Sequence, residues 1–349
     1  MSAQQSGILL IVLITLMSLT REARAGEWVN GNAGSAAGSR NYALWVPSGY
    51  VKRKPTPLLV MLHGCMQTPQ DLAAISGMNS VADFANFLVV YPEQTKEANP
   101  LRCWNWFEPK HQARDSGEPS IIAAIVERVR SIYNVDAKRT YVAGISAGGA
   151  MAVVMGATYP DLFSGIGVSS GLAFKAGTDV QSGLAAMKQG GPDPSQLGIE
   201  AFNSMRLSWA KLRAGDKRRM PVIVFHGDAD PYLNPVNAEQ VIVQWAKTND
   251  CLDDGRANDS VKGQPVQTSD ASVRDGRSYT KTVYADSKAH LLMEKWIVKG
   301  MGHAWSGAPT ASSFGDSKGP NASLEMWRFF GEASLLSSPW KTTPQKGRE

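Results

Sequence analysis

Ser146 is the residue best placed to act as a nucleophile in this chain of 349 residues. It stands in Gly144-Ile145-Ser146-Ala147-Gly148, after the run Arg139-Thr140-Tyr141-Val142-Ala143 and before an Ala- and Met-rich stretch ending at Tyr159-Pro160. A G-x-S-x-G pentapeptide between a strand and a helix makes a tight elbow with the serine at its tip. Such a turn strains the serine backbone, and the flanking glycines let strand and helix pass close together. The helix points its free N–H groups at the serine, where negative charge would develop. A serine hydroxyl still needs a base within hydrogen-bond reach. Two later loops carry the missing groups. The run Pro221-Val222-Ile223-Val224-Phe225 opens onto His226-Gly227-Asp228-Ala229-Asp230, and Trp296-Ile297-Val298 leads into Gly300-Met301-Gly302-His303-Ala304-Trp305. His303 is read as the base and Asp230 as the acid that fixes its tautomer. Asp228, directly after the glycine, is the rival acid and is assigned to organising the loop.

A tetrahedral intermediate needs donors for its oxyanion. Pro57-Leu58-Leu59-Val60-Met61-Leu62 reads as a buried strand running into His63-Gly64-Cys65-Met66. The backbone N–H groups of Cys65 and Ala147 are the natural pair, each of a kind worth about 10²–10³ in rate. The order Ser146…Asp230…His303 is that of α/β-hydrolases. The other histidines carry plainer readings. His63 and His226 each end a strand before a glycine and are expected to bond backbone in their own loops, with no further carboxylate at triad spacing. His290 is expected at the surface. His111 is left open between packing and lining the cleft.

The elements that must position these groups alternate along the chain. Strands are expected over 41–46, 58–62, 87–91, 140–143, 165–169, 222–225 and 294–298, with 279–284 as an extra strand or hairpin partner. Helices are expected over 69–84, 119–133, 147–158, 236–247 and 321–330. This alternation implies an α/β fold with a mostly parallel central sheet and helices on both faces. Around 170–219 the pattern breaks into Gly-, Ala- and Met-rich sequence, which is either a cap over Ser146 or a helical excursion that only packs. Trp104, Trp106 and Trp305 are the aromatic candidates for a substrate wall.

Composition bounds the rest. The chain is 43% hydrophobic and 19% charged with a formal net charge of +5, and its basic clusters at 52–54 and 217–219 are short. No basic face with interleaved aromatics forms, so nucleic acid is not an expected partner. No Cys/His cluster has metal-ligand spacing, and neither a metal nor another cofactor is expected. Residues 7–19 are an apolar run too short to span a bilayer comfortably, followed by Ala23-Arg24-Ala25. That pattern reads as a signal peptide over 1–25, although residues 1–6 hold no Lys or Arg and an uncleaved anchor is the alternative. A single catalytic domain over 26–340 and a polar tail over 341–349 complete the expected organisation. The mature protein is expected in the periplasm or outside the cell, without stable membrane association. Three cysteines suit one bridge and one leftover.

The set Leu62-His63-Gly64-Cys65-Met66-Gln67, Cys103-Trp104-Asn105-Trp106-Phe107, Gly117-Glu118-Pro119-Ser120, Gly144-Ile145-Ser146-Ala147-Gly148-Gly149, His226-Gly227-Asp228-Ala229-Asp230 and Gly302-His303-Ala304-Trp305 resembles the motifs of the esterase/polyhydroxybutyrate depolymerase family. That family holds short-chain-length polyhydroxyalkanoate depolymerases with a type 1 catalytic domain, with related feruloyl and acetylxylan esterases. The resemblance spans roughly residues 27–333. It implies a serine carboxylester hydrolase with the triad Ser146, Asp230 and His303, and the Cys65 N–H in the oxyanion hole. It also implies a Cys65–Cys103 bridge, with Cys251 as the alternative partner. The substrates it implies are polyhydroxyalkanoate esters, or feruloyl or acetyl esters of plant polysaccharides. Extracellular depolymerases of the family often add a Thr-rich or fibronectin-like linker and a polymer-binding domain. Neither follows the helix at 321–330, so soluble oligomers, amorphous polymer or small esters are expected at least as much as crystalline granules.

Overall fold

Leu58, Val60 and Leu62 pack on one side of their strand and Leu59 and Met61 on the other, and all five are fully buried. Successive side chains of a strand point to opposite faces, so burial of both sets requires cover on both sides of the sheet. The computed structural model describes residues 25–208 and 219–333. Its main sheet is built from β1 (Glu27–Ser35), β2 (Gly38–Val46), β3 (Thr56–Leu62), β4 (Leu88–Pro92), β5 (Val135–Ile145), β6 (Ile166–Ser169), β7 (Val222–Gly227), β8 (Gln267–Ser272), β9 (Ser278–Ala285) and β10 (Leu291–Val298). They lie in the order β1-β2-β4-β3-β5-β6-β7-β10-β9-β8. The stretch β4-β3-β5-β6-β7-β10 is parallel throughout. Antiparallel strands close both edges, β1 and β2 on one side and β9 and β8 on the other.

The expected alternation of strands and helices is what the chain adopts, in an α/β-hydrolase-type fold. Two edge strands, β1 and β8, were absent from the sequence reading. Both are polar and half exposed, so neither shows a buried apolar run. The helix expected over 69–84 is two, α1 (Pro69–Ser76) and α2 (Met78–Ala85), broken at Gly77 with φ 60°. Thr68 and Asp71 form a reciprocal cap at the start of α1. Then follow α3 (Gly117–Ile132), α4 (Ala147–Thr158), α5 (Val180–Gln189), α6 (Pro194–Leu207), α7 (Val236–Asp254) and α8 (Ala322–Ala333). Buried side chains of α3, α4, α6 and α7 pack on one face of the sheet, and those of α1, α2 and α8 on the other.

Every residue of α4 is buried, as a sequence apolar on all sides but for Thr158 requires. This helix can lie so close to β3 only because Gly148 lacks a side chain, since a Cβ there would meet the Leu62 carbonyl oxygen at 2.0 Å. The sheet thus brings the carboxyl ends of the parallel strands β3, β5, β7 and β10 to one edge. That edge carries the segments of Cys65, Ser146, Asp230 and His303, where open α/β sheets bind ligands.

Candidate active site

Ser146 joins β5 to α4 with φ 58° and ψ −125°, a strained left-handed conformation for a residue with a Cβ. Its N–H donates to the Ser169 carbonyl at 2.9 Å, which ties the elbow to the end of β6. Asp230 follows β7. Its Oδ1 accepts from the N–H groups of Tyr232 at 3.0 Å and Leu233 at 2.9 Å. Its Oδ2 accepts from His303 Nδ1 at 2.8 Å. Burial pushes the Asp230 carboxyl up. Hydrogen bonds from His226 and His303, the nearby His303 ring and the Leu233 N–H outweigh it and hold the group far below the usual carboxylate range. Asp230 is therefore an ionised acceptor, and His303 carries its proton on Nδ1 with Nε2 left to act as a base.

Ser146 and His303 line one cavity of ≈ 170 Å³. Gly64, Cys65 and Gln67 form its polar rim, and Met66, Ile145, Met187, Tyr232, Leu233 and Phe314 its apolar walls. The Tyr232 ring stands edge-on to His303 at 5.4 Å. Neither the Cys65 N–H nor the Ala147 N–H donates to another described residue, so both are free for an oxyanion. Cys65 is bonded to Cys103 with an S–S length of 2.05 Å, and Cys251 is a buried free thiol. The bridge fixes the Cys65 loop to the segment that carries Trp104.

The expected substrate wall is corrected by the structure. Trp104 and Trp305 are fully buried, Trp106 is nearly so, and none of the three lines the cavity. Trp104 lies beside the His63 ring at 5.8 Å, and Trp106 stands edge-on to Phe107 at 5.5 Å. Asn105 between them is held by Glu118 through its N–H at 2.8 Å and its Nδ2 at 2.6 Å, which turns the flanking indoles into the core. Trp305 belongs to the opposite face, where its Nε1 donates to Ser323 Oγ at 3.1 Å. The apolar walls instead come from Met66 and Tyr232-Leu233, which directly follow Cys65 and closely follow Asp230, and from Met187 and Phe314. Nothing in the sequence around Met187 or Phe314 marks them for this role.

The rival acid makes other contacts. Asp228 accepts from the Gly300 N–H at 2.6 Å and lies 3.6 Å from Lys299, so it organises the loops. His63 and His226 do bond backbone, at Gly64 O (2.8 Å) and Leu233 O (2.9 Å). His226 Nε2 also lies 3.4 Å from Oδ2 of Asp230, the carboxylate already bonded to His303. His111 is buried, accepts from the Glu118 N–H at 2.9 Å and stays outside the cavity. His290 is partly buried against Asp286 at 2.8 Å rather than at the open surface. In the insertion, α5 brings Met187 to the cavity while α6 packs against α7, so each of the two readings holds for one helix. Residues 209–218 of that insertion lie outside the described residues.

The profile of the Esterase PHB depolymerase family matches residues 40–267. The chain belongs to this family. It is 30% identical over 277 residues to poly(3-hydroxyalkanoate) depolymerase C of Paucimonas lemoignei, covering 78% of this chain and 60% of that protein. It is also 30% identical over 260 residues to an acetylxylan esterase of Coprinopsis cinerea, covering 72% of this chain and 62% of the relative. The chain thus spans about 60% of the length of these relatives. An acetyl xylan esterase from Aspergillus awamori superposes with a TM-score of 0.65 at 19% identity, over 87% of this chain and all of the other. That likeness shows the shared fold.

Proposed function

We propose that this esterase is an exported serine hydrolase that cleaves short-chain polyhydroxyalkanoate polyester or oligoesters, of the poly-3-hydroxybutyrate type, through an acyl-enzyme on Ser146. His303 takes the Ser146 proton as the oxygen attacks the ester carbonyl, and returns it to the leaving alcohol. Asp230 holds the imidazole tautomer and stabilises the imidazolium without being protonated. The N–H groups of Cys65 and Ala147 receive the oxyanion. Water then attacks the acyl-enzyme by the same route in reverse.

The observation that carries this reading is the small apolar cavity beside Ser146, ≈ 170 Å³ and walled by Met187, Leu233, Tyr232 and Phe314. Its size suits a four-carbon acyl unit, and it lies below the ~300 Å³ at which drug-sized pockets begin. A second reading, an esterase for acetyl or feruloyl groups on plant polysaccharides, is favoured by relatives such as the acetylxylan esterase above and a feruloyl esterase B of Neurospora crassa, 28% identical over 259 residues. Export is supported by the Cys65–Cys103 bridge, since disulfides persist in oxidising compartments. Among the described residues no helix is long and apolar enough to cross a membrane. The proposed signal peptide and polar tail lie almost wholly outside the described residues.

Release of soluble 3-hydroxybutyrate products from amorphous poly-3-hydroxybutyrate, measured beside Ser146→Ala, tests the substrate. Serine-dependent release supports the depolymerase reading. A protein that releases nothing, yet cleaves p-nitrophenyl acetate or methyl ferulate, belongs to the second.

A further inference from the structure

His63 is fully buried at the end of β3 and both of its ring nitrogens are engaged. The Gln94 N–H donates to Nε2 at 3.0 Å, so Nε2 is the unprotonated nitrogen. The proton therefore sits on Nδ1, which donates to the Gly64 carbonyl at 2.8 Å. That carbonyl shares one peptide unit with the Cys65 N–H. A trans peptide is planar and its C=O and N–H point in opposite directions, and the chain contains no cis peptide among the described residues. Whatever holds the Gly64 oxygen on one side aims the Cys65 N–H to the other. This peptide lies beside the nucleophile, since a Cβ at Gly64 would lie 3.3 Å from the Ser146 Cβ. The other hold on the Gly64 oxygen, from the Gln67 N–H, is long at 3.4 Å.

We propose that His63 is a positioning residue that fixes the Gly64–Cys65 peptide so that the Cys65 N–H faces the oxyanion formed at Ser146. The proposal rests on the reading of the Cys65 N–H as an oxyanion donor. The ring itself is anchored. Gln94, which donates to it, also donates from Nε2 to Glu118 Oε1 at 2.5 Å and to the Cys103 carbonyl at 3.0 Å. Arg40 Nε donates to Gln94 Oε1 at 2.9 Å. The same hub thus grips the segments of both bridged cysteines. Burial lowers His63 to about 4, which keeps the ring neutral and its Nε2 able to accept at the pH where esterases work. His63 touches no reacting atom. Its effect appears only when the oxyanion forms, so it should act on kcat and leave KM nearly unchanged.

The test uses His63→Gln and His63→Asn in the full-length protein, with Ser146→Ala as control. Glutamine keeps an acceptor near the Nε2 position and loses the donor at Gly64. Asparagine places an N–H near the Nδ1 position and keeps that donor. We expect His63→Gln to lower kcat on p-nitrophenyl butyrate by about 10²-fold, as loss of an oxyanion donor does. KM should change little, and the inhibition constant of a butyl boronic acid should rise in parallel with the loss in kcat. His63→Asn should recover most of both. A folded His63→Gln with wild-type kcat, or a folded His63→Asn impaired as badly as His63→Gln, overturns the proposal. If His63→Gln does not fold, the ¹⁵N–¹H resonance of Cys65 decides, and an equal shift on boronate binding in wild type and His63→Asn supports it. A shift lost in His63→Asn overturns it. Turnover surviving in Ser146→Ala instead removes the reading underneath, and the two failures are distinguishable.

Discussion

His303 Nδ1 and Asp230 Oδ2 meet at 2.8 Å across 73 residues of chain, in a site whose carboxylate side chain is shielded from solvent. The contact joins the loops after β7 and β10, which are hydrogen-bonded parallel neighbours. The strand pairing therefore brings the proposed acid and base together before any side chain is chosen.

Asp230→Asn should lower kcat by about 10³–10⁴-fold, because an amide in place of the acceptor favours the wrong imidazole tautomer. Asp228→Asn removes a carboxylate that caps the Gly300 N–H and faces Lys299. It should keep kcat within about threefold and cost roughly 1 kcal/mol of stability. Steady-state kinetics on a soluble ester check both, and equal losses would contradict the assignment.

Cutting the Cys65–Cys103 bridge by Cys103→Ser should destabilise the protein. The cross-link closes 38 residues, for which loop entropy gives about 4 kcal/mol. Because Cys65 also lines the cavity beside Ser146, kcat should fall together with the urea midpoint. An unchanged midpoint would show that the bridge constrains nothing.

Stability should fall as acid is added through the range in which free histidine titrates. His63 is held at about 4 in the folded protein by burial, whereas in the unfolded chain it titrates near its ordinary 6.5. Between those values the unfolded state binds the extra proton. The full stabilisation is present above about pH 6.5 and is lost progressively toward pH 4, roughly 3 kcal/mol in all. Urea titrations at several pH values should show a shallower slope in His63→Asn.

Glu118→Gln should cost about 2–4 kcal/mol. The Glu118 carboxylate accepts from Asn105 N, Asn105 Nδ2 and Gln94 Nε2 while almost fully buried. A glutamine amide turns an N–H₂ toward those donors and leaves buried groups unpaired. The loss should appear in the urea midpoint, with the Trp104 emission shifting as its segment loosens.

Much of this molecule was legible because buried parallel strands are written as uninterrupted apolar runs. The runs ending at Leu62, Phe225 and Val298 each stop where chemistry begins, so strand ends and candidate site residues were found together. The edge strands escaped because edges need no such run. β1 reads Glu-Trp-Val-Asn-Gly-Asn-Ala-Gly-Ser and is held by its hairpin with β2 rather than by burial of its side chains. The tryptophans misled for a different reason. Sequence proximity puts Trp305 two residues from His303, but the direction of its side chain is set by Ser323 on α8, far along the chain. The cavity walls at Met187 and Phe314 were invisible because only tertiary packing brings them to Ser146.

The most direct measurement is covalent labelling by a fluorophosphonate followed by peptide mass mapping. One adduct per chain, on Ser146 and absent from Ser146→Ala, is the expected result. An active esterase whose label falls on another residue, or that never labels while folded, would contradict Ser146 as the nucleophile.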